Sequence, residues 1–399
     1  MSQAFSAPGK ALLAGGYLVL DPIYDAYVIA LSSRMHAVLE SQPTQNYSSI
    51  VVKSPQFDGE WEYLESTEIN NKKNPFVQAS ITTILSYVRP TTNYNLHITI
   101  YSDPEYHSNE GTIIKKSYNG KKSFHYHNTQ INEVPKTGLG SSAGLVAVLV
   151  TSLMSFFKPG SSIEILHNLS QIAHCLAQQK IGSGFDVAAA IYGSIKYRRF
   201  QPDIVNKVLE SDLEPNLLKS TVESKWDFVH ESCALPAEVK LLMGDVNGGS
   251  ETPKMVSKIL QWKKDKPEES EIIYNSLKEA NTSFIKAVTE VNLEDIKKSL
   301  LQIRKGLRDL TLKANVPVEP IEQAQLLDRL SELRGCLGGT VPGAGGYDAI
   351  AILVLADSEK DIRKETSINS EKYNNVNWLN IHEEADGIKI ENAEDYIGL

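Results

Sequence analysis

The sequence predicts a two-domain α+β protein, and three observations lead there. The chain has 399 residues, enough for two domains of the usual ~100–200 residues each. Strand-like patterns predominate up to Val134, and Leu-, Val- and Ala-rich helical patterns then take over. A second mixed unit opens at about Ala237, beyond a polar, acidic stretch over 201–225.

Tyr17 to Leu20 and Ala26 to Leu31 are apolar and partly β-branched, with Asp21-Pro22 as a turn between them, so both are expected as strands. Val38 to Val52 continues in that style around a polar break. Asn74 to Tyr87 is expected as a helix, because Phe76, Val77, Ile81, Ile84 and Leu85 recur near helical spacing. Leu96 to Ser102 alternates like a strand, Pro104 to Lys122 reads as a loop or hairpin, and Phe124 to Val134 as a further strand. Ser141 to Phe157 predicts a buried helix stopped by Lys158-Pro159-Gly160. Ser161 to Gln179 predicts the next, with Ser161 and Glu164 as its capping box and Ile165, Leu166, Leu169, Ile172, Ala173 and Leu176 as its apolar stripe. Gly182, Ser183 and Gly184 break it, Asp186 to Gly193 is small and apolar, and Ile195 to Phe200 is expected as a strand. Residues 201–225 read as a linker or surface excursion, which divides the chain into domains 1–215 and 216–399. In the second domain Val239 to Gly244 and Ala349 to Leu355 are expected as strands, 252–312 and 320–334 as helical, and Pro342 to Tyr347 as a glycine-rich turn.

Composition narrows the function. Hydrophobic residues make up 41% and charged residues 22%, ordinary for a globular protein in water. The net charge of -9 argues against a broad nucleic-acid footprint and leaves room for a local basic pocket. Cys175, Cys233 and Cys336 form no CxxC pair, and their odd number fits reduced thiols in the cytoplasm. The N-terminal residues lack a signal-peptide run, the apolar stretch Leu145 to Phe157 is too short to span a bilayer, and Ile397-Gly398-Leu399 is no lipidation or retrieval signal. A cytoplasmic protein without a nucleic-acid or membrane partner is expected.

Three glycine-bearing segments carry candidate chemistry. The first, Pro135-Lys136-Thr137-Gly138-Leu139-Gly140-Ser141-Ser142-Ala143, leads straight into a predicted helix. The first amides of a helix lack internal partners and sit at the positive end of its dipole, where phosphate oxygens are favoured. Gly138 and Gly140 let the backbone approach a phosphate closely, and Ser141 and Ser142 add hydroxyls for phosphate or Mg²⁺. No Gly-Lys-Ser/Thr follows and GxGxxG is absent, so this is neither a Walker A loop nor a dinucleotide fingerprint. The second segment is Ser6-Ala7-Pro8-Gly9-Lys10, followed by Ala11-Leu12-Leu13-Ala14-Gly15-Gly16-Tyr17. A lysine between a tight turn and an apolar run suits charge neutralisation at a transferring phosphate. The third, Pro342-Gly343-Ala344-Gly345-Gly346-Tyr347-Asp348, has more glycine than a turn needs and reads as backbone packed on a ligand or another loop. Asp186 sits among small apolar residues, and buried acids are normally paired; Lys10 is its expected partner. Singly, each feature also has a plain structural reading: a serine-capped turn, an exposed strand-end lysine, a strand-to-helix turn, a helix-capping aspartate.

Jointly and in this order, Pro8 to Tyr17, Pro135 to Ala143 and Pro342 to Asp348 resemble the GHMP kinase superfamily, whose members phosphorylate galactose, homoserine, mevalonate and 5-phosphomevalonate. With Lys180-Ile181-Gly182-Ser183-Gly184-Phe185-Asp186 added, the wording is most similar to the fungal branch that acts on 5-phosphomevalonate. The resemblance implies an N-terminal ribosomal-protein-S5-like domain, a C-terminal α/β-sandwich domain and a site between them. It implies transfer of the ATP γ-phosphate to (R)-5-phosphomevalonate, giving 5-diphosphomevalonate and ADP on the route to isoprenoids and ergosterol, with Mg²⁺ as cofactor. It assigns ATP to Pro135 to Ala143, the catalytic roles to Lys10 and Asp186, and the substrate to Lys10, Tyr17, Lys180, Ser183, Gly343, Ala344 and Gly345. A monomer or weak homodimer is expected.

One departure bears on the metal. Mevalonate kinases carry a Mg²⁺-binding glutamate on the helix before the catalytic aspartate, and Ala173-His174-Cys175-Leu176-Ala177-Gln178-Gln179 has no carboxylate. Metal binding then falls to Ser142, ATP oxygens and water. The acceptor bears on Asp186. A phosphomonoester, with its second pKa of about 6, is mostly dianionic at pH 7 and needs no base, so Asp186 is expected to orient Lys10 instead. Lys180 is the first candidate to hold the substrate phosphate, with Lys136, Arg198 and Arg199 behind it, and Leu96 to Asp103 is the region expected near adenine. Tyr17 and polar residues near His107 are candidates for lining the acceptor site. Alternatives are a kinase for an unphosphorylated alcohol, a non-catalytic sensor of nucleotide and metabolite, or a decarboxylase of the same fold.

Overall fold

The computed structural model describes residues 2–44, 47–129, 131, 134, 137–246 and 252–399. Its opening strand, Ser2–Ala14, runs antiparallel to Ala26–Gln42, with a register shift between Pro8 and Gly9. The expected strand at Tyr17 to Leu20 is instead a tight turn: Leu18–Leu20 is a single 3₁₀ turn entered through Tyr17 at φ 63°. Leu18 and Val19 are buried there, and a short apolar run does not distinguish a buried turn from a strand. The larger sheet runs in the order Val229–Ser232, Ile195–Arg198, Ala26–Gln42, Asn95–Ser102, Ser49–Ser54, Gly59–Leu64, Thr67–Glu68. Ser49–Ser54 and Asn95–Ser102 pair in parallel, and the helix Pro75–Val88 lies in the connection between them. Asn74 caps that helix by accepting from the amides of Phe76 and Val77.

The helix Ser141–Phe157 has the predicted limits and packs on the two long strands. Val146, Val148, Leu149, Val150 and Leu153 are fully buried, each stabilising the fold by about 1.5–3 kcal/mol. The helix beside it, Ile163–Gln178, is capped by Ser162 rather than Ser161: the Ser162 side chain accepts from the Ile165 amide, and Ser161 donates to the Lys158 carbonyl. Among the described residues, Phe124 to Val134 yields only the strand Ser123–Tyr126, hairpinned to Ile113–Lys116. The polar stretch 201–225 is no linker. It forms the helices Asp203–Glu210 and Pro215–Glu223, whose Val205, Val208, Leu218 and Val222 are buried in the core. Two short amphipathic helices show mostly polar letters, because only one narrow face of each is buried.

The second sheet is antiparallel, in the order Cys336–Thr340, Ala349–Leu355, Val239–Asp245, Asn377–Trp378. Helical content over 252–312 resolves into Thr252–Asp265, Pro267–Thr289 and Leu293–Ala314, followed by Ile321–Ser331. A single cut at 215/216 does not follow the sheets. Val229–Ser232 belongs to the first sheet, and the chain's last segment returns to it: Glu383–Glu384 pairs with Leu31 and Ala30, and Lys389–Glu391 pairs with Ala4 to Ser6. Arg34, buried in the first sheet, donates to the carbonyls of both Ser6 and Gly387. Among the described residues, no helix is long and apolar enough to cross a membrane.

The third glycine segment leans on a buried ion pair. Arg304 Nε and Nη2 donate to Glu319 Oε1 at 3.0 and 2.8 Å, and Nη2 also donates to the Ala324 carbonyl. Next to Glu319, the Val318 carbonyl accepts from the Gly346 amide at 2.9 Å. The Glu319 side chain is 0% exposed, so removing Arg304 leaves a buried charge uncompensated. Arg304→Met should therefore cost about 3–5 kcal/mol in a urea unfolding titration, and Arg304→Met with Glu319→Met should recover most of it.

Candidate active site

The three glycine segments converge, and Lys10 is where the first two meet. Its backbone amide donates to the Leu139 carbonyl at 3.0 Å, and its Nζ donates to the Gly138 carbonyl at 2.9 Å. Gly140 sits at φ 86°, and a Cβ there would come 3.1 Å from Lys10 Cε, so both backbone angle and space call for glycine. The third segment docks on the strand that carries Lys10. The Gly343 amide donates to the Leu12 carbonyl at 3.1 Å, and Tyr17 Oη donates to the Ala344 carbonyl at 2.8 Å. A Cβ at Gly16 would lie 2.8 Å from the Gly343 carbonyl oxygen, so this contact also depends on a missing side chain.

The central loop separates two cavities. One, of about 310 Å³, is lined by Lys10, Tyr17, Thr137, Gly138, Leu139, Ser183, Gly343, Ala344 and Gly345 together with Phe185 and Asp348. The other, of about 400 Å³, is lined by Ser141 and Ser142, by Lys72 and Lys73, and by Ile100, Tyr101, Ser102 and His107. His107 thus falls in this second cavity, away from Tyr17. Ile100 to Ser102 lie within the stretch expected near adenine. A third, larger groove of about 920 Å³ runs between the opening strand and the chain's last residues; of the expected site it holds only Thr99 and Tyr101, from the stretch expected near adenine.

The helix that starts at Ser141 has no side-chain cap; Gly140 occupies the cap position. Its first amides are therefore free of a competing side-chain acceptor, at the place where an anion is favoured. Ala143 is buried and packs the first turn against the core. Thr137 anchors the loop's entrance: its amide donates to the Tyr106 carbonyl at 3.2 Å and its hydroxyl to the Glu105 carbonyl at 2.6 Å.

Burial pulls the Lys10 ammonium below the ordinary lysine pKa, and the nearby Asp186 charge pulls it back up. The two act through space. The expected Lys10–Asp186 ion pair is not made, because the Lys10 ammonium is engaged by the Gly138 carbonyl and lies 5.6 Å from the Phe185 ring centroid. Asp186 Oδ1 accepts from the Val187 amide at 2.9 Å, and its Oδ2 lies 3.9 Å from His174 Nε2. His174 Nε2 is also 3.1 Å from Ser142 Oγ and 3.2 Å from Gln178 Nε2. The segment without a glutamate thus supplies a histidine that touches the serine and faces the aspartate.

Other expected cations fare differently. Pro135 and Lys136 lie outside the described residues. Lys180 is exposed on the turn after its helix and lines neither cavity. Arg198 is half-buried on its strand and lines neither as well. Arg199 is structural: it donates to the Leu20 carbonyl at 2.6 Å and the Gly182 carbonyl at 2.7 Å, joining Leu20, which lines the smaller cavity, to the residue before the lining Ser183. The sequence reading missed Lys72 and Lys73, whose signal was a lysine pair just ahead of the Asn74 helix cap. It also named His174 without giving it a role.

Residues 112–194 match the family model described as the GHMP kinases N terminal domain. The chain is similar in overall structure to a Streptococcus pneumoniae phosphomevalonate kinase solved with phosphomevalonate and AMPPNP: TM-score 0.71, 21% identity, 96% of this chain and 99% of that one covered. It is likewise similar to a Lin0012 protein from Listeria innocua, with TM-score 0.77, 20% identity and coverage of 98% and 99%. The fold is that of the GHMP kinases, as the motifs implied. Among curated proteins, the peroxisomal phosphomevalonate kinase of Arabidopsis thaliana is 28% identical over 99% of this chain and 97% of its own length. The phosphomevalonate kinase of Candida albicans is 54% identical over 100% of both chains. Identity of that extent over the whole of both chains makes this chain a member of the phosphomevalonate kinase family within the GHMP kinases.

Proposed function

We propose that the phosphomevalonate kinase reaction of this chain takes place across the central glycine loop, with Mg·ATP in the 400 Å³ cavity and (R)-5-phosphomevalonate in the 310 Å³ cavity. The observation that carries this reading is the loop's place between the two, with an uncapped helix N-terminus on one side and Lys10 on the other. Products are 5-diphosphomevalonate and ADP. Ser141, Ser142 and the first amides of their helix bind triphosphate oxygens, and Lys72 and Lys73 add positive charge at the rim.

The acceptor is a phosphate whose second pKa is about 6, so at neutral pH it attacks as a dianion and no proton has to leave it. The difficulty is bringing two anions together. Lys10 answers it by exchanging the Gly138 carbonyl for the acceptor and γ-phosphate oxygens. Asp186, out of contact with Lys10, favours its ammonium form through space. Tyr17, Ser183 and the Gly343 to Gly345 backbone shape the acceptor side. A magnesium ion fits the oxygen donors present: Ser142 Oγ lines the nucleotide cavity, and Mg²⁺ characteristically combines one or two protein oxygens with substrate phosphates and water. When bound it would neutralise charge on the phosphoryl group in transfer. The reading places the chain in the cytoplasm, as a monomer or weak homodimer acting on small molecules.

Coupled ADP release should occur with Mg·ATP and 5-phosphomevalonate and not with mevalonate; turnover with mevalonate alone would restore Asp186 as a general base. Lys10→Met should keep its unfolding midpoint and lose about 10²-fold or more in kcat. Because burial lowers the Lys10 pKa and the ammonium is the working form, kcat/KM should fall at alkaline pH below the ordinary lysine range. Lys10→Arg should remove that alkaline limb. Neutralising Lys72 or Lys73 should raise the KM for ATP by about two- to five-fold, as expected for exposed charges. Lys180→Ala should leave the KM for 5-phosphomevalonate unchanged.

A further inference from the structure

We propose that His174 is a positioning residue for the nucleotide–metal side of the site, fixing the Ser142 hydroxyl so that its oxygen lone pairs face the cavity. His174 is only 4% exposed. Its ring lies 5.7 Å from that of Phe76, which lines the 400 Å³ cavity, and its Nε2 lies 3.1 Å from Ser142 Oγ. A serine hydroxyl has one proton and two lone pairs, and it rotates to suit its surroundings. To serve a cation it has to turn the proton away. A neutral imidazole with its proton on Nδ1 presents a lone pair at Nε2 and accepts that proton. The Gln178 amide nitrogen, 3.2 Å from the same Nε2 and one helical turn along, donates toward the same lone pair and favours the same tautomer.

The arrangement also brings three helix ends to one place. His174 belongs to Ile163–Gln178, Ser142 opens Ser141–Phe157, and Asp186 lies in the first turn of Phe185–Tyr192. Asp186 Oδ2 lies 3.9 Å from the same Nε2, beyond hydrogen-bond reach, so the direct partners of Nε2 are the serine hydroxyl and the Gln178 amide. A carboxylate at this place would bind the cation directly; a histidine instead orients the hydroxyl that does.

The inference rests on the assignment of Mg·ATP to this cavity, and its test contains no acceptor. A wrong acceptor would therefore appear in ADP release and leave this result standing. Binding of a fluorescent ATP analogue is titrated across Mg²⁺ concentrations for the parent, His174→Phe, which keeps a ring without an acceptor, and His174→Gln, which restores one. The Mg²⁺ concentration for half-maximal binding should rise about ten-fold or more in His174→Phe, as for other partners that orient metal ligands. It should return most of the way in His174→Gln, with metal-free nucleotide affinity alike in all three. An unchanged Mg²⁺ requirement in His174→Phe, or equal weakening with and without Mg²⁺, overturns the proposal. Nitrogen NMR of the unsubstituted chain tests it independently of whether the variants fold: an unprotonated Nε2 at His174 is expected, and an Nε2–H tautomer sinks it.

Discussion

The site depends on one residue's double attachment to one loop. Lys10 gives its backbone amide to the Leu139 carbonyl and its ammonium to the Gly138 carbonyl. The first bond docks the phosphate loop on the opening strand, and through it the helix that begins at Ser141. The second is provisional by chemistry, because an ammonium held by a neutral carbonyl has a stronger partner in a phosphate oxygen. The glycine at 140 follows from the same constraint, because the Lys10 stem occupies the space its side chain would need; the glycine at 16 gives way in the same manner to the Gly343 carbonyl of the third segment.

Electrostatics then divides labour across the loop. On the proposed assignment of the two cavities, the acceptor side concentrates its positive charge in Lys10, partly desolvated and supported by Asp186 from beyond contact distance. The nucleotide side then spreads its attraction over helix amides, two hydroxyls and the exposed Lys72 and Lys73. A chain of net charge -9 thus needs no overall basic character to gather two phosphorylated substrates. It needs a few donors aimed at one place.

How much of this the sequence disclosed varies by residue, for physical reasons. The helix at Ser141 was legible to its last residue, since glycine, serine and a long Leu/Val/Ala run leave few other readings. Lys10 and the three glycine segments were legible because close backbone approach forces particular residue types. The turn at Tyr17 to Leu20 was not, since burial alone sets its composition and a strand would look the same. The helices within 201–225 hid behind their solvent faces. Lys180 misled because a cation near Asp186 in sequence is held by its turn away from both cavities. The contact of His174 with Ser142 was unreadable: on its own helix the histidine is one more letter among buried residues, and only the fold sets it against the serine. Arg199, a runner-up for the substrate phosphate, is committed to two backbone carbonyls.

The return of the last residues to the opening strand has a consequence for how the protein is made. Ser6 and Glu391, 385 positions apart, are joined by a hydrogen bond of 2.6 Å in the finished sheet. At about 5–20 residues per second, the first strand leaves the ribosome about 20–80 s before its outer partner exists. Through that interval Ser2–Ala14 can pair with Ala26–Gln42 on one side only, and its other edge stays open. An open, apolar edge is a template for foreign strands. The strand that carries Lys10 is thus among the first parts synthesised and among the last to be sealed, which makes the nascent chain a natural client for whatever shields unfinished sheets during translation.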